Sequence, residues 1–281
     1  MIPVGRLAPA RQWDQNMLDL LFANNLYDTG LQFHRREGYP NTDGAILIIP
    51  GRYWFEKTNE ISEAIAKYRW VLAMRVGDEE DLFDTDRVFH RNIAWWVQSP
   101  KPDHDYGDAR LFGVGFPPHF NDLTRHDAAE PAGIDVFLSA QNTHSRRNEC
   151  FQALENVDVP RWVKETAGFT QGMDTKHYTD VMCSAKIAPA PAGPVTADNF
   201  RLFEALEAHC IPIADNKDFW LHLFPDAPFP IVDNYDQLAG YIDDQIEQWP
   251  TNSNHITAWW MHQKRQLTKW LKADLDDLGA T

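Results

Sequence analysis

Long apolar runs and closely spaced cysteines are missing from this 281-residue chain, and we expect no secretory leader. No stretch approaches the ~20 apolar residues that span a bilayer, and the opening "MIPVGRLAPARQWDQ" contains no apolar signal core. The three cysteines are an odd number, are far apart and show no metal-ligand spacing. We therefore expect free, buried thiols in a cytoplasmic protein that does not associate with membranes.

Basic residues are also scarce. The 26 Lys and Arg are outnumbered by 41 Asp and Glu, which leaves a net charge of −15. Such a chain repels polyanions at long range. The composition therefore opposes a nucleic-acid partner unless a local basic groove overrides the average.

Three common enzyme signatures are absent. The sequence contains no G-x-G-x-x-G for a dinucleotide, no G-x-x-x-x-G-K-[ST] for a nucleoside triphosphate and no G-x-S-x-G nucleophile elbow. One D-x-D triplet, "DTD" at 84–86, is too common by chance to indicate a metal site. These absences oppose a nicotinamide enzyme, a P-loop enzyme and an α/β-hydrolase.

Continuous apolar runs of strand length alternate with helical patterns from residue 45 onward. Runs such as "AILIIP" and "WVLAMRV" are typical of parallel strands that are covered on both faces. A polar, Pro/Ala-rich stretch at 118–132 interrupts the rhythm, which restarts with "IDVFLSA", whereas residues 1–44 suggest only a short helix and loops. The prediction is α/β, with domains at 1–125 and 126–250 and an amphipathic C-terminal helix at 251–281 that packs back across them.

Ligands of open parallel sheets bind beyond the carboxyl ends of the strands, and two such sheets favour a shared cleft. In the first half the buried run at 70–76 is followed by Asp78 and Glu79, in the position of catalytic carboxylates. The alternative is an acidic, solvated helix start. His119 follows a later strand and is a second candidate base, or else a structural histidine.

Two strand-to-helix junctions in the second half suggest an anion site. "SAQNTHSRRNEC" places Arg146 and Arg147 at a helix start, unless this is only a surface loop with two solvated arginines. "APAPAGPVTADNF" is a Pro/Gly loop that ends in an N-cap at Thr196 or Asp198.

The helix after that loop has two different faces. Leu202, Phe203, Leu206 and Cys210 form a core stripe, and Arg201, Glu204, Ala205 and Ala208 share the other face. Glu204 is suited to accept both hydroxyls of a ribose, with Arg201 beside it and the alanines leaving room for a ligand. The alternative is a surface ion pair worth a few tenths of a kcal/mol, which does not explain the small residues.

The segment 134–235 resembles the donor-binding half of GT-B glycosyltransferases, especially the exostosin-like group. That group shows a "P-x-G" loop, a "D-x-x-R-x-x-E-A" helix and "G-x-I-P-V", and this chain has "PAG" at 191–193, Asp198, Arg201, Glu204, Ala205 and "CIPI" at 210–213. His209 and Cys210 depart from the group's Gly and small residue. The resemblance implies two tandem Rossmann-like domains that face each other across a cleft.

The resemblance also implies roles for individual residues. Glu204 would bind the nucleotide ribose, Arg201 and the loop 193–199 would lie near the diphosphate, and Arg146 or Arg147 would neutralise the leaving phosphate without a metal. The backbone around 169–172 would face the nucleobase. The expected donor-binding residues are Gln141, Arg146, Arg147, Phe169, Thr170, Gly193, Thr196, Asp198, Asn199, Arg201 and Glu204.

The first half, with "ILIIPGRYW" and "WWVQSP", is similar to short glycosyltransferases of bacteriophages, some of which modify hydroxymethyl-pyrimidines in DNA. The resemblance implies hexosyl or pentosyl transfer from a nucleotide sugar, with a UDP-sugar favoured, no added cofactor, and Asp78 or Glu79 as the base with His119 behind them. The favoured acceptor is modified DNA in the host cytoplasm. A cell-surface glycan or small-molecule acceptor, and a non-catalytic nucleotide-sugar-binding protein, remain open alternatives.

Overall fold

A computed structural model describes residues 1–7, 12–23, 29–78, 90–120, 133–168 and 171–281. The described chain divides into two compact units, the first made of Met1–Val114 with His262–Thr281 and the second of Gly115–Met261. The predicted domain boundary at 125–126 lies outside the described residues. The final helix begins in the second unit and ends in the first.

The part of the first unit that the structure describes is built on six parallel strands. Their order across the sheet is β2-β1-β3-β4-β5-β6, and all five pairings between neighbours are parallel. The elements are β1 (Ile2–Arg6), α1 (Gln12–Phe22), β2 (Phe33–Glu37), β3 (Gly44–Pro50), α2 (Gly51–Ile65), β4 (Trp70–Val76), β5 (Ile93–Gln98) and β6 (Arg110–Phe112).

Among its described residues, the second unit has five parallel strands in the order β11-β10-β9-β7-β8. Its elements are β7 (Ile134–Gln141), α3 (Ser145–Glu155), β8 (Arg161–Thr166), α4 (Thr175–Cys183), β9 (Ala185–Ala190), α5 (Phe200–Glu207), β10 (Ile211–Asp215), α6 (Lys217–Leu223), β11 (Ile231–Val232), α7 (Leu238–Glu247) and α8 (Thr251–Asp277). Short 3-10 turns lie at Pro118–Phe120 and Tyr235–Gln237.

The central strands confirm the predicted parallel sheets. In β3 the side chains from Ala45 to Ile49 are no more than 1% exposed, and β4 is equally buried from Val71 to Met74. Strands buried on both faces lose the polar alternation of half-exposed strands, which is why these runs were recognisable in the sequence.

The prediction for residues 1–44 was incomplete because two strands lie there. β1 is only five residues long and contains a proline and a glycine, both of which weaken a strand signal. β2 has the sequence FHRRE and is an edge strand with mostly exposed side chains. Its pairing with β1 in the tertiary structure, and not its own propensity, makes it a strand.

The predicted N-cap of α5 was also inaccurate. α5 begins at Phe200, and its N-cap is Asn199 rather than Thr196 or Asp198, since Asn199 Oδ1 accepts a hydrogen bond of 3.1 Å from the Leu202 amide. α2 begins at Gly51, directly after β3. All three cysteines are free thiols, with Cys150 and Cys210 buried and Cys183 partly exposed.

Candidate donor site and candidate base

The strand order of the second sheet creates a crevice at one place. If the strands of this sheet are numbered in chain order, their spatial order is 2-1-3-4-5. β8 therefore lies on one side of β7, and β9 lies on the other side. Loops that leave the carboxyl ends of two such strands diverge, and the gap between them is where ligands of this architecture bind. The gap lies between Gln141, which ends β7, and the loop that follows β9 at Ala190.

Arg147 spans this switch point. From α3, its guanidinium donates to the Ala192 carbonyl at 3.2 Å and to the Gln141 carbonyl at 3.2 Å, one on each side of the gap. A third bond, at 3.5 Å, reaches Thr143 Oγ1. The predicted residues Gln141 and Arg147 are therefore brought together.

Arg201 approaches the same place from α5. Its Nε donates to the Ser139 carbonyl of β7 at 3.2 Å. Burial, and next the charge of Arg201, lower the pKa of Arg147 to about 10. Two guanidinium groups thus lie close together, both held by backbone carbonyls, which creates a positive site suited to an anion.

Arg146 has a different environment from its neighbour. Its Nε forms an ion pair with Asp215 Oδ2 at 3.0 Å, its NH1 lies 3.4 Å from Glu149 Oε2, and its guanidinium covers the Tyr235 ring at 5.0 Å. Two carboxylates therefore already neutralise this cation, whereas Arg147 bonds to carbonyl and hydroxyl oxygens.

Asp215 is the site residue that the sequence analysis missed. It ends β10, is fully buried, and also accepts hydrogen bonds from the Ala192 amide at 2.9 Å and from the Tyr235 hydroxyl at 3.0 Å. One carboxylate thereby joins α3, the loop after β9 and the turn at Tyr235–Gln237. The available signal was an aspartate that closes the otherwise apolar strand IPIAD.

Glu204 lies beside Arg201, as the pattern predicted, but it is buried at 7% exposure instead of solvated. Its Oε2 accepts a short hydrogen bond of 2.5 Å from the Tyr178 hydroxyl of α4. Burial raises the pKa of Glu204, and Arg201 and the Tyr178 bond oppose that shift. The interpretation as a surface ion pair is therefore wrong.

The two alanines on that face of α5 were misread. Ala205 and Ala208 are both fully buried and do not line an open space. α5 packs against β9 and β10, and small residues permit close approach to the sheet. The polar part of this face of α5 is therefore narrower than predicted and consists of Arg201 and Glu204.

The loop before α5 is tightly folded. A Cβ on Gly193 would lie 2.8 Å from the Thr196 carbonyl oxygen, so only glycine fits without a shift. Thr196 Oγ1 accepts from the Asp198 amide at 3.2 Å, and Asp198 and Asn199 are buried. The predicted loop residues are thus adjacent to each other, whereas Phe169 and Thr170 lie outside the described residues.

Asp78 follows β4 in the first unit and is buried at 3% exposure. Its Oδ2 lies 3.5 Å from NH1 of Arg75, which is fully buried and also reaches the Tyr106 hydroxyl at 3.4 Å. A Cβ on Gly51 would lie 2.3 Å from the Asp78 Cβ, so the carboxylate packs against the start of α2. Glu79 lies outside the described residues.

His119 belongs to the second unit, in the 3-10 turn Pro118–Phe120. Its ring meets the Tyr178 ring edge-on, with centroids 6.1 Å apart, and burial lowers its pKa to about 4. His119 is therefore neutral at physiological pH and lies next to the Tyr178–Glu204 pair.

Within the parts of the chain that the structure describes, no group of three or more His, Cys, Asp or Glu side chains is placed to hold a metal ion. None of the described helices has both the length and the apolarity to cross a membrane.

No protein-family model and no curated protein sequence matches the chain. Solved structures do. One is the DNA-modifying enzyme β-glucosyltransferase, determined in the presence and absence of its substrate uridine diphosphoglucose. It is 12% identical in sequence, the match covers 98% of this chain and 100% of that chain, and the TM-score is 0.54. Another structure, of phage T4 β-glucosyltransferase, has 12% identity, 98% and 99% coverage and a TM-score of 0.49. The first similarity shows the fold and confirms the predicted GT-B class.

Proposed function

We propose that this protein is a glycosyltransferase that moves a sugar from a nucleoside diphosphate sugar to an acceptor hydroxyl. The observation that carries the proposal is the pairing of Arg147 and Arg201 at the switch point of the second sheet, with the Glu204 carboxylate beside them. Two cations and one anion are the charges that suit a diphosphate and its ribose. The shared fold with an enzyme whose substrate is uridine diphosphoglucose favours a UDP-sugar.

Arg147 and Arg201 are the proposed diphosphate ligands. Sugar transfer leaves negative charge on the diphosphate, and guanidinium groups held by backbone carbonyls stabilise that charge without moving. Arg146 already pairs with Asp215 and Glu149, so its proposed role is to hold the loop after β9. With two arginines at the leaving group, we propose that the reaction needs no metal ion.

Because the two neighbouring arginines have different proposed roles, their substitutions should have different effects. Arg147→Gln should weaken UDP binding by about 10-fold or more, because charge-assisted hydrogen bonds contribute about 1.5–3 kcal/mol. It should lower the melting temperature less than Arg146→Gln does, because its partners are neutral oxygens and not a buried charge. Arg146→Gln should lower the melting temperature, because it leaves Asp215 buried without its cation. Calorimetric titration with UDP and thermal unfolding of both variants measure the two effects, and equal losses of affinity would refute the assignment.

Asp78 is the proposed general base. An inverting transfer requires a group that takes the proton of the acceptor hydroxyl, and Asp78 is a carboxylate at the carboxyl end of a central strand. Arg75 and the start of α2 hold its side chain in one orientation. His119 lies in the other unit, beside the donor carboxylate, and is the weaker candidate.

Asp78→Asn should lower the rate of sugar transfer by at least about 100-fold, since general bases contribute about 10²–10⁴, while UDP affinity stays unchanged. The measurement is single-turnover transfer with saturating donor, accompanied by a UDP titration. Glu79→Gln is the parallel variant, and normal turnover by both variants would place the base elsewhere. A loss of UDP binding in Asp78→Asn would instead indicate a structural role.

A 5-hydroxymethyl-pyrimidine in DNA is the proposed acceptor. The fold is that of a DNA-modifying enzyme, and β2 presents His34, Arg35 and Arg36 on an exposed strand of an otherwise acidic chain. Asp19 already pairs with Arg35 at 3.2 Å, which reduces the charge available to a phosphate backbone.

The deciding experiment is incubation with a panel of UDP-, GDP- and other nucleotide sugars plus hydroxymethylated DNA or glycans, followed by mass spectrometry for the gain of one sugar. A DNA acceptor predicts a steep fall of activity with salt, because each phosphate contact releases counterions. Transfer to glycans with a flat salt response would favour the glycan alternative. Donor binding without hydrolysis or transfer would favour a non-catalytic binding protein.

A further inference from the structure

Tyr178 connects an aromatic cluster to the buried carboxylate of the donor site. Its ring lies edge-on to three others, with centroid distances of 5.3 Å to Phe137, 6.3 Å to Phe120 and 6.1 Å to His119. The ring is therefore held in place by β7 and by the 3-10 turn Pro118–Phe120. The hydroxyl at the end of the fixed ring is the group that donates to Glu204 Oε2 at 2.5 Å.

We propose that Tyr178 is a positioning residue for nucleotide recognition: it holds Glu204 in one rotamer, occupies Oε2, and leaves Oε1 to accept a ribose hydroxyl. The inference rests on the proposed function, since it assigns a partner to the proposed ribose ligand. A free glutamate side chain must lose rotamer freedom when a ligand binds. A tyrosine whose ring is already packed removes that freedom before the nucleotide arrives.

The hydrogen bond also acts on the charge of Glu204. An ionised carboxylate only accepts hydrogen bonds, whereas a protonated carboxyl carries an O–H donor and has less capacity to accept from ribose hydroxyls. Burial opposes ionisation here. The groups that face this carboxyl are Arg201 on its own helix and Tyr178 on α4, with Arg147 next to Arg201 and His119 against the Tyr178 ring. Of these, Arg201 and Tyr178 lower the pKa of Glu204.

The direction of the bond is fixed as well. Burial, followed by the charge of Glu204, raises the pKa of Tyr178 well above its usual value. The phenol therefore stays protonated and donates at neutral pH. Removing the hydroxyl should leave Glu204 more mobile and protonated up to a higher pH.

The test uses the full chain and two probes, UDP and 2′,3′-dideoxy-UDP, which lacks both ribose hydroxyls. Tyr178→Phe keeps the ring and its packing and removes the hydroxyl, which donates to Glu204 and also accepts from Arg201. Arg201 remains held by the Ser139 carbonyl. We expect UDP affinity to fall about 10-fold, in line with the loss of one charge-assisted hydrogen bond, while dideoxy-UDP affinity is unchanged. The acid limb of UDP affinity should shift to higher pH, because the Tyr178 bond lowers the pKa of Glu204.

Tyr241→Phe, which removes a hydroxyl from α7 in the same unit, is the matched control and should behave as wild type. Equal losses for both probes would show a merely structural role and overturn the inference, as would a Tyr178→Phe variant with unchanged UDP affinity and pH profile. If wild type fails to bind UDP, the proposed donor site falls and this inference with it. If wild type binds UDP and Glu204→Gln weakens it while Tyr178→Phe does not, only this inference fails.

Discussion

Glu204→Ala is expected to weaken UDP binding by about 10- to 100-fold. Hydrogen bonds to a charged group contribute about 1.5–3 kcal/mol, and the proposed ribose contact has no substitute in the alanine variant. The change also removes a carboxylate whose charge interacts with Arg201, which itself lies near Arg147. Calorimetric titration with UDP measures the loss directly, and the same titration with dideoxy-UDP should show little change.

Two further variants separate function from stability. Glu247→Ala removes an exposed carboxylate from α7 and should leave UDP affinity at the wild-type value. Glu204→Gln should lose affinity yet melt no lower than wild type at neutral pH. A carboxyl whose folded-state pKa is raised is destabilising once ionised, so stability falls as pH rises from the unfolded towards the folded pKa, and glutamine avoids that cost. Full UDP affinity in Glu204→Ala would make the donor site wrong.

Asp215→Ala is expected to destabilise the second unit by about 3–5 kcal/mol. The substitution leaves the Ala192 amide and the Tyr235 hydroxyl without their acceptor in a buried place, at about 1–3 kcal/mol each, and removes the partner of Arg146. Arg146 is about one-third exposed, so water compensates for part of its loss. Urea and thermal unfolding give the free energy of unfolding.

The matched control is Asp243→Ala on an exposed turn of α7, which should change the free energy of unfolding by less than about 0.5 kcal/mol. Asp215→Asn should lower the free energy of unfolding by less than Asp215→Ala and by more than Asp243→Ala. Its amide oxygen still accepts one hydrogen bond, whereas its NH₂ group faces a second donor. If Asp215→Ala unfolds at the wild-type urea concentration, the carboxylate does not organise the loop after β9.

Patterns that depend on local chemistry were readable in the sequence. Continuous apolar runs identified the central strands, because a strand buried on both faces must be apolar along its whole length. The stripe of Leu202, Phe203 and Leu206 identified the core face of α5, and all three are buried. The spacing of Arg201 and Glu204 placed both on one side of that helix, since residues three apart are neighbours on a helix surface.

Features that depend on distant partners were not readable. β2 is a charged segment that becomes a strand because β1 lies beside it. Asp215 and Arg146 are 69 residues apart in sequence, and Tyr178 and Glu204 are 26 apart. The sequence around each of these residues does not indicate which distant residue it contacts in the folded protein.

The sequence by itself therefore determined two parallel α/β sheets and a helix that carries an arginine and a glutamate beside each other. The tertiary structure alone decided how each charge is used. It pairs Arg146 with a buried aspartate, leaves Arg147 bonded to neutral oxygens at the switch point, and buries Glu204 under a tyrosine hydroxyl. The reason is physical: the charge and orientation of a buried group are set by what surrounds it in space, and only the folded chain brings those groups together.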